Sequence, residues 1–274
     1  MASSKNEKVI VITGASAGLG SSLASEAAAD GFKVALLARN FEKLEALQNQ
    51  ICNTGGEALA LKTDVTSDAD VSDAFSRIIK TWHRVDLLVN SAGVVTPVKP
   101  LTEAAPEHLK QALLTNVYGV YLTTRAALQQ MYRQKSGRIV NITSGAANHP
   151  YIGWAAYGSQ KAAVDMLTRI AAKESSRHQV QVLAISPGPF QSGMQEILRG
   201  SGEEDFPARQ KFVDLYRSGS LPSSQIAAGF ILAIGSSRLP ALNGRIIDLR
   251  DKDFQRECRQ HGITIPVYFR EHAP

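Results

Sequence analysis

Short apolar runs alternate with stretches of helical spacing along most of the chain. Residues 8–13 (KVIVIT), 33–38 (KVALLA), 57–63, 86–90 (DLLVN), 138–143, 180–186 (VQVLAIS) and 244–249 read as seven strands. Such near-continuous apolar character suits parallel strands covered on both faces. Helical patterns cover 19–30, 41–53, 68–81, 103–134 and 155–177. Gly31 is placed to end the first of these, Asp68 to cap the third, and Gly119 to break the fourth. Strands alternating with helices predict an α/β fold, a doubly wound parallel sheet with helices on both faces. No repeat, low-complexity tract or linker divides the chain, so residues 1–274 read as a single domain. Segment 188–221, with Gly200, Gly202, Pro207 and Gly219 around Phe206, Phe212 and Leu215, reads as a substrate lid at a strand's carboxyl end.

Composition narrows the function classes. Hydrophobic residues are 44% and charged residues 20% of the chain, ordinary for a globular domain. No apolar run reaches the ~18 residues that span a bilayer, and MASSKNEK lacks a signal-peptide core. A cytoplasmic protein without membrane contact is expected. Two cysteines, Cys52 and Cys258, provide neither a disulfide framework nor clustered metal ligands. The net charge of +5 is spread along the chain. It suits an anionic small molecule as easily as nucleic acid, and it is the absence of a basic cluster that argues against nucleic acid.

The candidate chemistry lies in separated stretches. The first predicted strand runs directly into Thr13-Gly14-Ala15-Ser16-Ala17-Gly18-Leu19-Gly20. Glycines at a strand-to-helix turn let the backbone bend and approach a ligand, and the helix start offers free N–H groups to a pyrophosphate. The spacing is GxxxGxG, not the GxGxxG of the commonest dinucleotide fingerprint. After the second strand comes Leu37-Ala38-Arg39-Asn40, with alanine where an acid would take a ribose 2′-hydroxyl. A guanidinium there suits a 2′-phosphate and favours NADP(H); a solvent-facing arginine opening a helix is the alternative reading. Residues 141–161 (NITSGAANHPYIGWAAYGSQK) place Ser144 at the end of a strand and Tyr157 and Lys161 four apart, on one helix face. An ammonium near a phenol favours the phenolate and brings the tyrosine toward useful acid–base chemistry.

Together with Asn90-Ser91-Ala92-Gly93, Asn116 and Pro187-Gly188, these motifs resemble the short-chain dehydrogenase/reductase family over about residues 8–250. The resemblance implies a Rossmann-like sheet and a nicotinamide dinucleotide. By that likeness Gly14, Ser16, Gly18, Leu19, Gly20, Arg39, Asn40, Asp64, Val65, Asn90, Ala92, Gly93, Tyr157, Lys161, Pro187, Gly188 and Ser192 hold the cofactor. It also implies that Tyr157 gives a proton to a carbonyl oxygen and Ser144 hydrogen-bonds that oxygen. Lys161 would hold the nicotinamide ribose and lower the tyrosine pKa, and Asn116 would keep a water relay in place. Ser91 departs from the family's usual asparagine and Ser192 from its usual threonine. Asp64 reads also as a helix cap.

Gly153-Trp154-Ala-Ala-Tyr157, Asp165-Met166 and Met194-Gln195 resemble the family's sepiapterin and benzil reductase branch. That branch implies NADPH-dependent reduction of ketones and vicinal dicarbonyls, with a small-molecule carbonyl compound as substrate. Trp154, Phe190 and Tyr216 are expected either to wall an aromatic substrate or to pack in the core. Asp248 lies near the position of an acid that anchors a pterin amino group, or is a turn residue. The extension 252–274 has no counterpart in the branch; its 263–269 run would cover the substrate pocket or a neighbouring subunit. The family implies a homodimer or homotetramer through 103–134 and 155–177, and Asp248-Leu-Arg-Asp251 replaces the glycine-rich end of a second dimer contact. A 3-oxoacyl thioester reductase or alcohol dehydrogenase of the same family stays open. A non-catalytic NADPH-sensing protein ranks lower, because tyrosine and lysine are both present.

Overall fold

The first strand, β1 (Val9–Thr13), lies mid-sheet with all five residues buried. It is followed by β2 (Lys33–Ala38), β3 (Glu57–Lys62), β4 (Leu87–Asn90), β5 (Gly137–Ile142), β6 (Val180–Ser186) and β7 (Ile246–Asp248). They form one sheet in the order β3-β2-β1-β4-β5-β6-β7, every neighbouring pair parallel. The computed structural model describes residues 7–237, 239 and 242–271. The fold is thus the Rossmann-like, doubly wound one expected.

Alternate strand residues feed two cores, as the period of two requires. Ile10, Ile12, Leu36 and Leu183 pack against Leu23 of α1 (Gly18–Ala29) and against Phe230, Ile231 and Ile234 of a later helix. Val9, Val11, Leu37 and Val182 face the other side, where Phe75, Ile78, Leu122 and Met131 cover them. From β1 the chain moves outward to β2 and β3, then returns to the other side of β1 for β4. That reversal opens a crevice at the strands' carboxyl ends, the place where ligands of such sheets bind.

The remaining helices differ from the predicted ones in informative ways. In α2 (Phe41–Asn53) Asn40 is the cap, its side chain accepting from the Lys43 amide at 3.0 Å. In α3 (Asp68–Trp82) the cap is Ser67, not Asp68: the serine hydroxyl accepts from the Asp70 amide, and Asp68 is already helical. Gly119 does not break the fourth helical stretch. After α4 (Pro106–Leu113) the chain passes through a π turn, Leu114–Tyr118, straight into α5 (Gly119–Gln134). Glycine is needed there for close approach, since a Cβ would lie 2.8 Å from Val65 Cγ2. After α6 (Ala155–Ser175), segment 188–221 carries two helices, α7 (Gly193–Gly200) and α8 (Arg209–Arg217). It is fastened by the Lys99–Asp205 ion pair and by Phe206 and Phe212 packed on Trp154. The chain continues through α9 (Ser224–Ser236), α10 (Lys252–Gln260) and α11 (Val267–Glu271). Phe269 is fully buried against Phe230, and Gln255 donates to the Leu249 and Phe269 carbonyls. Residues 272–274 of the extension lie outside the described residues.

Candidate active site

A cleft of about 1360 Å³ runs across the carboxyl ends of β1, β4, β5 and β6. At one end the turns after β1 and β4 touch: a Cβ on Gly14 would lie 2.8 Å from Ala92 Cα, and its φ is +69°. Thr13, which opens the glycine-rich stretch, ties these turns together. Its hydroxyl accepts from the Ser91 and Ala92 amides at 3.1 Å each. Ser16, Gly18, Leu19, Gly20, Ala92 and Gly93 line the cleft. Ala17 caps α1 without a side-chain bond, and a Cβ on Gly18 would meet nothing within 4 Å. The first amides of α1 therefore keep their N–H groups for a ligand, and this arrangement fits a dinucleotide pyrophosphate.

Arg39 and Asn40 are exposed at the same end and line the cleft with Asp64 and Val65. Arg39 forms no ion pair or hydrogen bond among the described residues. Asp64 Oδ1 accepts from the amide and hydroxyl of Thr66, so part of its carboxylate is used locally. Pro187, Gly188 and Ser192 line the middle, Ser192 also capping α7.

Asn90 and Asn116 stand just behind the residues that line the cleft. Neither lines the cleft; both are buried behind its wall. Asn90 donates to Thr124 and Asn141 and accepts from Thr123, which joins β4, β5 and α5. Asn116 Oδ1 accepts from the Val94 amide at 2.8 Å, and its Nδ2 donates to the Val94 carbonyl at 2.7 Å and Gln160 Oε1 at 2.6 Å. Its position in a π turn suits this, since such turns re-aim a side chain within a helix. The side chain is committed to the protein, pinning the loop after β4 to α6.

Ser144, Tyr157 and Lys161 meet on the cleft floor. Ser144 follows β5, and its hydroxyl accepts from the Ala146 amide at 3.2 Å and hydrogen-bonds Tyr157. Lys161 Nζ donates to the Ile142 carbonyl at 2.7 Å and stands 5.6 Å from the Tyr157 ring centre. Burial pushes the Tyr157 phenol up to about 12, and the Ser144 hydrogen bond offsets only part of this. Burial also brings Lys161 down to about 8, opposed by the charge of Asp165. The expected depression of the tyrosine by the lysine is therefore reversed. Enclosure disfavours the charged forms of both groups.

The other end of the cleft is aromatic. Tyr151, Trp154, Phe190 and Phe212 line it, joined by Tyr268 from α11. Trp154 both lines the cleft and packs on Tyr157, Phe206 and Phe212. Tyr216 is a correction: it does not line the cleft, is 56% exposed, and lies under the Arg199 guanidinium at 4.1 Å. Phe212, one turn earlier on the same face of α8, takes the inward position by packing on Trp154 and Phe206. Asp248 lines the cleft, but Arg250 occupies both its carboxylate oxygens at 2.9 and 2.7 Å. Arg250 itself was missed; the signal available was an arginine two residues beyond a strand-end aspartate.

The short chain dehydrogenase family model matches residues 8–201. Among similar proteins, benzil reductase ((S)-benzoin forming) from Bacillus subtilis is 35% identical over 89% of this chain and 99% of its own. A 3-oxoacyl-[acyl-carrier-protein] reductase from Synechocystis is also 35% identical, over 70% of this chain and 77% of its own. The crystal structure of an NAD+-bound xylitol dehydrogenase superposes with a TM-score of 0.81, at 27% identity, covering 90% of this chain and 98% of that one. The chain belongs to the short-chain dehydrogenases. It is an oxidoreductase of a family that uses nicotinamide dinucleotides. Among the described residues, no helix is long and apolar enough to cross a membrane.

Proposed function

We propose that this chain is an NADPH-dependent carbonyl reductase acting on a ketone or vicinal dicarbonyl. The observation that carries the reading is the meeting of the Ser144 and Tyr157 hydroxyls on the cleft floor, with Lys161 one helical turn on. When bound, the dinucleotide supplies the hydride. Tyr157, held up to about 12, stays protonated at neutral pH and is a donor to the carbonyl oxygen. Ser144 gives that oxygen a second hydrogen bond as charge develops on it. Lys161, held to the Ile142 carbonyl, positions a cation beside both and reaches the ribose. Asn116 acts at one remove, fixing the Val94 backbone and Gln160. The α1 amides take the pyrophosphate, and Arg39 takes the 2′-phosphate that separates NADPH from NADH.

The aromatic end of the cleft and the likeness to a benzil reductase support a flat dicarbonyl substrate. The likeness to a 3-oxoacyl-[acyl-carrier-protein] reductase keeps a thioester substrate as the second reading. Exposed Tyr121 on α5 and Met166 and Ile170 on α6 support a homodimer or homotetramer through those helices. A cytoplasmic setting completes the proposal.

The test is NADPH oxidation by purified protein against benzil, sepiapterin, isatin, a 3-oxoacyl thioester and a simple ketone, with NADH in parallel. Turnover of the dicarbonyls with NADPH supports the reading. Activity on the thioester alone replaces the substrate class, and equal rates with NADH overturn the cofactor.

A further inference from the structure

Arg250 is built into the reacting end of the cleft. Ser186 pairs with Asp248 in the sheet, so the aspartate stands at the carboxyl end of β7, beside the Pro187-Gly188 turn. Arg250 folds back on it: the backbone amide and Nε both donate to Oδ1 at 2.9 Å, and Nη2 donates to Oδ2 at 2.7 Å. Its stem crosses Gly188 so closely that a Cβ there would lie 3.1 Å from Arg250 Cδ and Nε. Its Nη2 lies 3.9 Å from where a Cβ on Gly145 would be, the residue directly after Ser144. The guanidinium thus reaches from the loop after β6 to the loop after β5, beside the residue that follows Ser144. Gln255, bonded to the Leu249 carbonyl, fixes the backbone beside it.

A guanidinium has five N–H donors. Asp248 takes two, and three remain with no partner among the described residues, on a side chain that lines the cleft. The bidentate pair holds the plane of the group and cancels its charge, leaving oriented donors that need no counter-ion. Beside it the cleft is lined by Tyr151, Phe212 and Tyr268, with His149 next to the guanidinium and Lys211 over the Tyr151 ring.

Building on the carbonyl reductase reading, we propose that Arg250 is the substrate-selecting residue, donating to a second sp² oxygen on the carbon next to the reacting carbonyl. The site would then prefer an aromatic vicinal dicarbonyl over the matched monoketone. A neutral carbonyl suits the neutralised pair. A 2-oxo acid, which offers a carboxylate at the same place, becomes the better ligand only when Asp248 no longer cancels the charge.

The test compares 1-phenylpropane-1,2-dione, 1-phenylpropan-1-one and phenylglyoxylate with NADPH, in the full-length protein and in three variants. In Arg250→Met, and in the double variant Asp248→Asn/Arg250→Gln that avoids a stranded carboxylate, the dione-to-monoketone ratio of kcat/KM falls at least tenfold. In Asp248→Asn the phenylglyoxylate-to-dione ratio rises at least threefold. Melting temperature and NADPH binding establish that each variant is folded. Ratios that stay within twofold of the unsubstituted protein, or a proportional loss on all substrates, overturn the role of Arg250 while leaving the reductase reading intact. No turnover of any carbonyl by the unsubstituted protein overturns both.

Discussion

Asn116 Nδ2 and Gln160 Oε1 are joined by a 2.6 Å hydrogen bond that ties the π turn to the residue directly before Lys161. With the two bonds from Asn116 to Val94, it locks three elements around a fully buried amide. Replacing Asn116 by leucine leaves the Val94 amide, the Val94 carbonyl and Gln160 Oε1 without partners. At about 1–3 kcal/mol for each unsatisfied buried group, the variant should lose about 3 kcal/mol or more, a fall of roughly 6–12 °C in Tm. Gln160→Leu should cost about 1 kcal/mol or less, because the Gln160 Nε2 it removes is itself buried without a partner. Thermal denaturation of both variants decides the matter, and equal losses would show that the amide pair does not act this way.

Tyr157→Phe removes the proton donor and leaves the glycine turn untouched. Loss of a positioned general acid lowers turnover by about 10²–10⁴-fold. NADPH affinity, measured by fluorescence titration, should change less than about threefold. A parallel loss of cofactor binding would assign the phenol a structural role instead.

The pH profile follows from the two enclosed groups. Below about 8 Lys161 is charged, and Tyr157 keeps its proton to about 12. Reduction should therefore show a flat kcat/KM below pH about 8 and a decline above it, since kcat/KM reports the free enzyme. Asp165→Asn removes the charge that raises Lys161, so its break should come at lower pH. The same depression has a stability consequence. Between about 8 and the ordinary lysine value of 10.5 the unfolded chain holds more protons at this site than the folded one. In that window the free protein gains stability from Lys161 as pH rises. A level profile through pH 10 would remove Lys161 from the mechanism.

Arg39→Asp tests cofactor choice. The exposed guanidinium is free to take a phosphate, and an acid in its place suits a ribose hydroxyl. The NADPH-to-NADH ratio of kcat/KM should fall roughly ten- to hundredfold. An unchanged ratio would place 2′-phosphate recognition elsewhere in the cleft.

The extension is also a part of the core. Phe269 is fully buried against Phe230, and Phe269→Ala should cost about 3–5 kcal/mol. Because Tyr268 beside it lines the cleft, the same variant should raise KM for aromatic carbonyl compounds more than for NADPH. Wild-type stability in urea denaturation would show that the extension is dispensable.

Local patterns were legible wherever neighbours in sequence are also neighbours in space. The seven apolar runs became the seven strands, and the glycine turn and the four-residue spacing of Tyr157 and Lys161 sit where local geometry puts them. Side-chain direction and ionisation were decided by contacts distant in sequence. Asn90 is turned from the cleft by Asn141, 51 residues on, and Asn116 by Gln160, 44 residues on. Tyr216 lost its inward place to Phe212 because Trp154 and Phe206 form the surface that α8 packs on. Asp248 is neutralised by a fold-back of Arg250 that needs the Gly188 turn beneath it. The titration of Tyr157 and Lys161 reversed for the same reason. Spacing put phenol and ammonium on one helix face, but segment 188–221, the loop after β4 and the sheet enclosed them. Burial is a property of the whole fold, and it costs a charge more than one neighbouring charge returns.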